Sequence, residues 1–190
     1  MKRGAERWLL TGERNTGKTR ALELLLAWLS KKRPELELSG LISPGVFQGL
    51  EKIAIDVVDL RTDERRRLAD PKSGAQQGLS TKRWFFHSDV ISWGNRALLA
   101  KDTCDLFMID ELGPLELERG DGFQIALQMM DQAAFRLGIA VVRPTLLHQA
   151  KSRWNPERTI NIPELGGAEP ASRQMITYIH NLFPKEESTQ

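Results

Sequence analysis

Gly12-Glu13-Arg14-Asn15-Thr16-Gly17-Lys18-Thr19 decides how the rest of this chain is read. The eight residues fit G-x-x-x-x-G-K-[ST], a loop that wraps the phosphates of a bound nucleotide. Their setting agrees with that reading. A short apolar run, Trp8-Leu9-Leu10, precedes them, and a leucine-rich stretch of helical character, residues 21–29, follows. A glycine-rich turn between strand and helix aims several backbone N–H groups inward, and the helix N-terminus adds partial positive charge. In such a loop Lys18 supplies a mobile charge to the β- and γ-phosphates, and Thr19 a hydroxyl for magnesium. The competing reading is a glycine-rich turn that happens to have a lysine beside it.

Outward from the loop, short apolar strands alternate with helical patterns. Residues 7–11 read as the first strand. The helix after the loop is apolar on nearly all sides and ends at Lys31-Lys32-Arg33 and Pro34, with cations at the negative end of its dipole. Residues 38–48 and 52–60 read as two extended arms about Gly49, an antiparallel hairpin that Pro44 interrupts or places at an edge. The cluster at residues 61–67 mixes four arginines with two acids and reads as a solvated turn, or else as a nucleic-acid or partner patch. Residues 70–83 read as a loop, and Ser88 or Asp89 as the cap of a helix running to about residue 100. Apolar strands are expected at 106–109 and 139–142, with a helix between them that Gly138 stops. A helix over 146–154, a strand near 158–162 and a final helix opened by Pro170 complete the pattern. Strands buried on both faces and alternating with helices predict an α/β fold: a three-layer, mainly parallel sheet carrying an inserted antiparallel hairpin at 38–60. One domain is expected over residues 1–190, with a C-terminal helix and tail at 166–190.

The strand at 106–109 ends in Asp110-Glu111, and this pair supplies the second half of a site. In a parallel sheet its tip lies on the same rim as the loop after the first strand. Asp110 can then hold magnesium opposite Thr19, and Glu111 can face the γ-phosphate and orient or deprotonate a water. Taken alone, the two acids also suit a helix cap or a surface pair. Arg143 follows the strand at 139–142 on that rim, where it senses the γ-phosphate and stabilises charge, or simply pairs with a carboxylate. Arg14 has the same options, or faces a partner or a nucleobase. Trp84 and Trp93 read as core residues, with stacking on a base as the alternative. His87, His148 and His180 lack the spacing of a metal site.

Composition is that of an ordinary soluble globular protein. Of 190 residues, 41% are hydrophobic and 27% charged, and a net charge of +2 gives no pointer to a polyanionic partner. A protein partner stays unassigned. The single Cys104 rules out an internal disulfide framework and reads as a structural thiol in a reducing compartment. The longest apolar run, residues 24–29, is far short of a membrane span, so a cytoplasmic protein is expected.

With the loop and acid pair in place, the chain resembles the small P-loop nucleoside-triphosphatases first described from thermophiles and also found in animals. Three stretches carry the resemblance. They are Gly12 to Thr19, the hairpin from Gly40-Leu41-Ile42-Ser43 to Ile55-Asp56-Val57-Val58-Asp59-Leu60, and Asp105-Leu106-Phe107-Met108-Ile109-Asp110-Glu111-Leu112-Gly113. Leu115-Glu116-Leu117 and Gly122-Phe123 continue it. The resemblance implies a RecA-like sheet and magnesium-dependent hydrolysis of ATP, GTP and other nucleotides to diphosphates. The family's phosphate loop falls on Gly12 to Thr19, and its acid pair on Asp110 and Glu111. Two departures stand out. Glu13, Arg14, Asn15 and Thr16 replace a Pro-Pro-Gly-Val-like stretch, and Pro114 stands where many members have lysine. Asn15 suits a glycine's place because Asn visits positive φ more readily than other residues. Past Thr145 nothing carries over. The rival readings on the same fold are a nucleotide or small-molecule kinase and a nucleotide-dependent regulatory switch.

Overall fold

Trp8, Leu9 and Leu10 are fully buried because the strand they form is covered on both sides. In the computed structural model of the protein, which describes residues 4–74, 78–100 and 103–185, this strand is β1 (Glu6–Thr11). Beyond it come α1 (Lys18–Lys32), β2 (Leu38–Ile42), β3 (Gly45–Gln48), β4 (Glu51–Asp59), β5 (Arg65–Pro71) and β6 (Trp84–Phe86). Then follow α2 (Ser88–Leu99), β7 (Cys104–Leu112), α3 (Pro114–Leu117), α4 (Gln124–Gln132) and β8 (Phe135–Val142). A 3-10 turn (Pro144–Leu146), α5 (Leu147–Trp154), β9 (Arg158–Asn161) and α6 (Ala168–Leu182) close the chain.

The nine strands make one sheet in the order β6-β5-β4-β2-β7-β8-β1-β9, with β3 on β4. Pairings among β2, β7, β8, β1 and β9 are parallel, and those among β2, β4, β5, β6 and β3 are antiparallel. Alternate residues of the parallel strands feed two cores. Trp8, Leu10, Leu106, Met108, Ile139 and Val141 pack under α1 and α6. Leu9, Phe107, Ile109, Ala140 and Val142 pack under α2, α4 and α5. Both faces being covered is why these strands read as unbroken apolar runs. The expected three-layer α/β sheet is thus present.

The antiparallel side differs from the sequence reading in extent. The expected first arm, 38–48, is broken at Ser43-Pro44 into β3, which forms the hairpin with β4, and β2, which also pairs in parallel with β7 and so belongs to the core. Residues 65–67, read as part of a solvated turn, lie in strand β5, and part of the loop expected at 70–83 falls in that strand too. Their side chains explain why. Arg67 and Arg65 reach Asp56 on the neighbouring strand at 2.8 and 3.6 Å, while Arg66 meets Glu64 at 2.7 Å and Arg61 meets Asp59 at 3.5 Å. These arginines are thus paired with acids of the same chain while their side chains stay partly exposed.

Three local expectations are corrected. The helix at residue 88 is preceded by His87 as its N-cap, with no side-chain cap bond, rather than by Ser88 or Asp89. Gly138 does not stop a helix: Ala133 ends α4 at φ 52°, and Gly138 lies inside β8. The Asp110-Glu111 strand does not end at Ile109 but runs to Leu112. Residues 1–3, 75–77, 101–102 and 186–190, which the expected N-terminus, loop and tail include, lie outside the described residues. Cys104 is buried, and no helix among the described residues is long and apolar enough to cross a membrane.

Candidate active site

The loop between β1 and α1 is held by its own lysine. Lys18 Nζ donates to the carbonyls of Gly12 and Glu13 at 2.7 and 2.6 Å, and Thr16 Oγ1 donates to Glu13 O at 2.8 Å. Asn15 takes φ 61°, as its glycine-like place in the motif requires. Gly17 takes φ 91°, and a Cβ there would stand 3.0 Å from Ala168 Cβ at the start of α6. Glu13, Arg14 and Asn15 are exposed, so the unusual residues of this loop lie on its surface.

How two adjacent acids reach one site is explained by an irregularity in β7. Ile109 pairs with Ala140 and Leu112 with Val142, so Asp110 and Glu111 together stand opposite Val141. Two residues against one is a β-bulge. Val141 faces the α1 layer, whereas Ile109 and Leu112 face the other. The bulge therefore brings both acids to the α1 side, where Lys18 and Thr19 lie. A regular strand would have sent them to opposite faces.

The bonds agree with this placement. Asp110 is buried, hydrogen-bonded to the Thr19 hydroxyl, and accepts the Ser43 N–H at 3.4 Å. Burial pushes its carboxyl up to about 6, opposed by these hydrogen bonds and by Lys18. Burial also holds the Lys18 ammonium below its ordinary value, against the pull of Glu111 and Asp110. Glu111 is ion-paired with Nε of Arg143 at the tip of β8. Arg143 also lines a recess of about 470 Å³ with Gly12, Glu13, Arg14, Pro144 and Thr145. The structure thus joins Lys18, Thr19, Asp110, Glu111 and Arg143 on one rim, and puts Arg14 at its outer edge. Trp93 is buried with Arg66 stacked 4.6 Å from its ring centroid, so it packs and does not offer an open face; Trp84 is half-buried on β6.

Two contributors escaped the sequence reading. Ser43 acts through its backbone N–H, which no side-chain pattern reveals. Glu116 is buried on α3 with Gly113 between it and Glu111, and its signal was a lone acid between two leucines. The donor set on the rim suits magnesium. Among the described residues no group of three or more His, Cys, Asp or Glu could hold a metal. Magnesium asks for less, taking one or two protein oxygens with waters and substrate phosphates, and Thr19 and Asp110 are adjacent oxygens.

Comparison with known proteins gives the same answer. The chain is similar to the solution structure of a human cancer-related nucleoside triphosphatase, with 17% identity over 96% of this chain and 100% of that one and a TM-score of 0.68. It is also similar to the crystal structure of THEP1 from the hyperthermophile Aquifex aeolicus, with 14% identity over 94% and 99% of the two chains and a TM-score of 0.55. At such identities the likeness speaks for the fold. None of the curated proteins matches the chain significantly. A family model described as NTPase matches residues 7–166. Most of the length being covered, the chain belongs to this NTPase family and is a nucleoside-triphosphate hydrolase.

Proposed function

We propose that the protein hydrolyses nucleoside 5′-triphosphates, ATP and GTP among them, to diphosphate and phosphate with magnesium as cofactor. The observation that carries this reading is the bulge that puts Asp110 and Glu111 on the same side as Lys18 and Thr19. Amides of the loop 12–19 and the Lys18 ammonium bind the β- and γ-phosphates. Thr19 and Asp110 hold magnesium, which when bound supplies neutralising charge to the phosphate oxygens. Glu111 orients the attacking water and takes its proton as the new P–O bond forms and the bond to the β-phosphate oxygen breaks. Arg143, ion-paired with Glu111, stabilises charge on the transferred group in this reading, a role worth roughly 10³–10⁵ in rate. The chain is read as one catalytic domain.

The test is phosphate release from ATP, GTP, CTP and UTP, with magnesium and with chelator. Release is expected from several nucleotides and only with the metal. Glu111→Gln should keep nucleotide binding and lower turnover by roughly 10²–10⁴. Unchanged turnover in that variant would remove Glu111 from the mechanism.

A further inference from the structure

A carboxylate that the reaction above does not use is buried next to the one that it does. Glu116, only 7% exposed, lies on α3 just past the bulge. Its Oε2 accepts the Gly113 N–H at 2.9 Å and its Oε1 accepts the Phe123 N–H at 3.0 Å. Its own backbone carbonyl accepts from Gln124 Nε2 at 3.1 Å. The chain is shaped around this group. Gly122 runs at φ 72°, and a Cβ there would fall 2.0 Å from Glu116 Oε1. Burying a carboxylate is costly, and burial does push its carboxyl above the ordinary range while the two N–H groups pull it back. Packing alone would be served better by an apolar residue.

What the carboxylate holds is the exit of the bulge. Gly113 is two residues beyond Glu111 and lies between the two carboxylates. A Cβ built on it would be 3.6 Å from Glu111 Oε1 and 3.8 Å from Glu116 Oε2. Fixing the Gly113 N–H on one side and the Phe123 N–H, at the start of α4, on the other leaves the segment after Glu111 little freedom. A general base must keep its oxygen within hydrogen-bond reach of the water, and a displacement of about 1 Å can cost 10²-fold in rate.

We propose that Glu116 is a positioning residue for hydrolysis: its buried carboxylate clamps Gly113 and Phe123 and so fixes the backbone that carries the Glu111 carboxylate. The inference rests on Glu111 being the base. It is distinct from a general structural role because it predicts coupling to Glu111 alone.

The experiment is a double-mutant cycle of Glu111→Gln and Glu116→Gln, read by MgATP hydrolysis, ATP affinity and thermal melting. Glutamine keeps the volume but offers one acceptor oxygen for two N–H donors. Glu116→Gln is expected to lower kcat by about 10²-fold while KM and ATP affinity stay within about threefold. Adding it to Glu111→Gln should cost nothing further. Losses that multiply in the double variant overturn the proposal, as does a Glu116→Gln enzyme with parental kcat. Unchanged turnover in Glu111→Gln alone overturns the base assignment instead, so the two failures are told apart. If Glu116→Gln does not fold, Glu116→Asp, which keeps the charge but reaches only one donor, takes its place in the cycle. A variant series that never folds overturns positioning in favour of a purely structural role.

Discussion

Replacing Asp110 by asparagine should make the nucleotide-free, metal-free protein more stable at neutral pH. Burial raises the Asp110 carboxyl from its ordinary 3.8 to about 6 in the folded chain. Between these values the folded state binds more protons than the unfolded one, so stability falls as pH rises. Stability linked to the protonated form is fully present below 3.8 and lost as pH rises through about 6. At about 1.36 kcal/mol per pH unit, the ionised group costs the fold about 3 kcal/mol at pH 7.5, and about 1 kcal/mol at pH 4.5. The amide of Asp110→Asn keeps an oxygen for the Ser43 N–H and a polar partner for Thr19, so the hydrogen bonds survive and only the charge is lost. Thermal unfolding in chelator should therefore show the variant melting about 6–12 °C higher than the parent at pH 7.5, for a chain of this size. The gap should shrink to about a third of that at pH 4.5. Equal gaps at the two pH values, or a variant less stable at pH 7.5, would refute the account of Asp110 as a buried charge kept for its ligand.

Two further outcomes are expected. Gly40→Ala should lose about 2–6 kcal/mol in chemical denaturation, because Gly40 runs at φ 122° and a Cβ there would be 1.8 Å from Met108 O on the paired strand. A loss under about 1 kcal/mol would contradict that close approach of β2 to β7. Lys18→Ala should weaken MgATP binding about 10–100-fold in a calorimetric titration, the worth of hydrogen bonds to a charged group. Equal affinity would contradict the phosphate-loop reading.

The parallel half of this fold was legible because covering both faces of a strand leaves only apolar choices. Residues 8–10, 106–109 and 139–142 show this, and each lies in a core strand. The antiparallel half was legible only where it alternates. In β4, Ile53, Ile55 and Val57 alternate as a strand's apolar face does, but Arg65-Arg66-Arg67 carry no apolar signal. Their partners make them a strand, since a cross-strand pair such as Arg67 with Asp56 needs both sequences in register. Gly138 misled for a related reason. Helices commonly end at a glycine, yet here the glycine lies in a strand, where the Phe135 ring would be 2.4 Å from a Cβ at that position. Within the site, Lys18, Thr19, Asp110 and Glu111 declared themselves by type and spacing. Ser43 could not, since its backbone N–H looks the same in any residue. Nor could the bulge, which exists only as a mismatch between β7 and β8.

The order of strands, also beyond the reach of the sequence, gives Arg143 its place. The loop follows β1 and the acids sit on β7, but these strands are not neighbours, because β8 runs between them. At about 4.8 Å per strand, the axes of β1 and β7 are about 10 Å apart, although the Thr19 hydroxyl and the Asp110 carboxylate meet across that gap. A side chain leaving the tip of β8 is a single strand step from each. Arg143 uses that position, pairing with Glu111 on one side while lining the recess with Gly12 and Glu13 on the other. A residue at the tip of β2 or β9 would reach one half and miss the other. In the proposed mechanism, position 143 lets a second cation beside Lys18 serve both the γ-phosphate and the base. An arginine there, with a guanidinium able to bond in two directions, meets that demand better than the compact ammonium of a lysine.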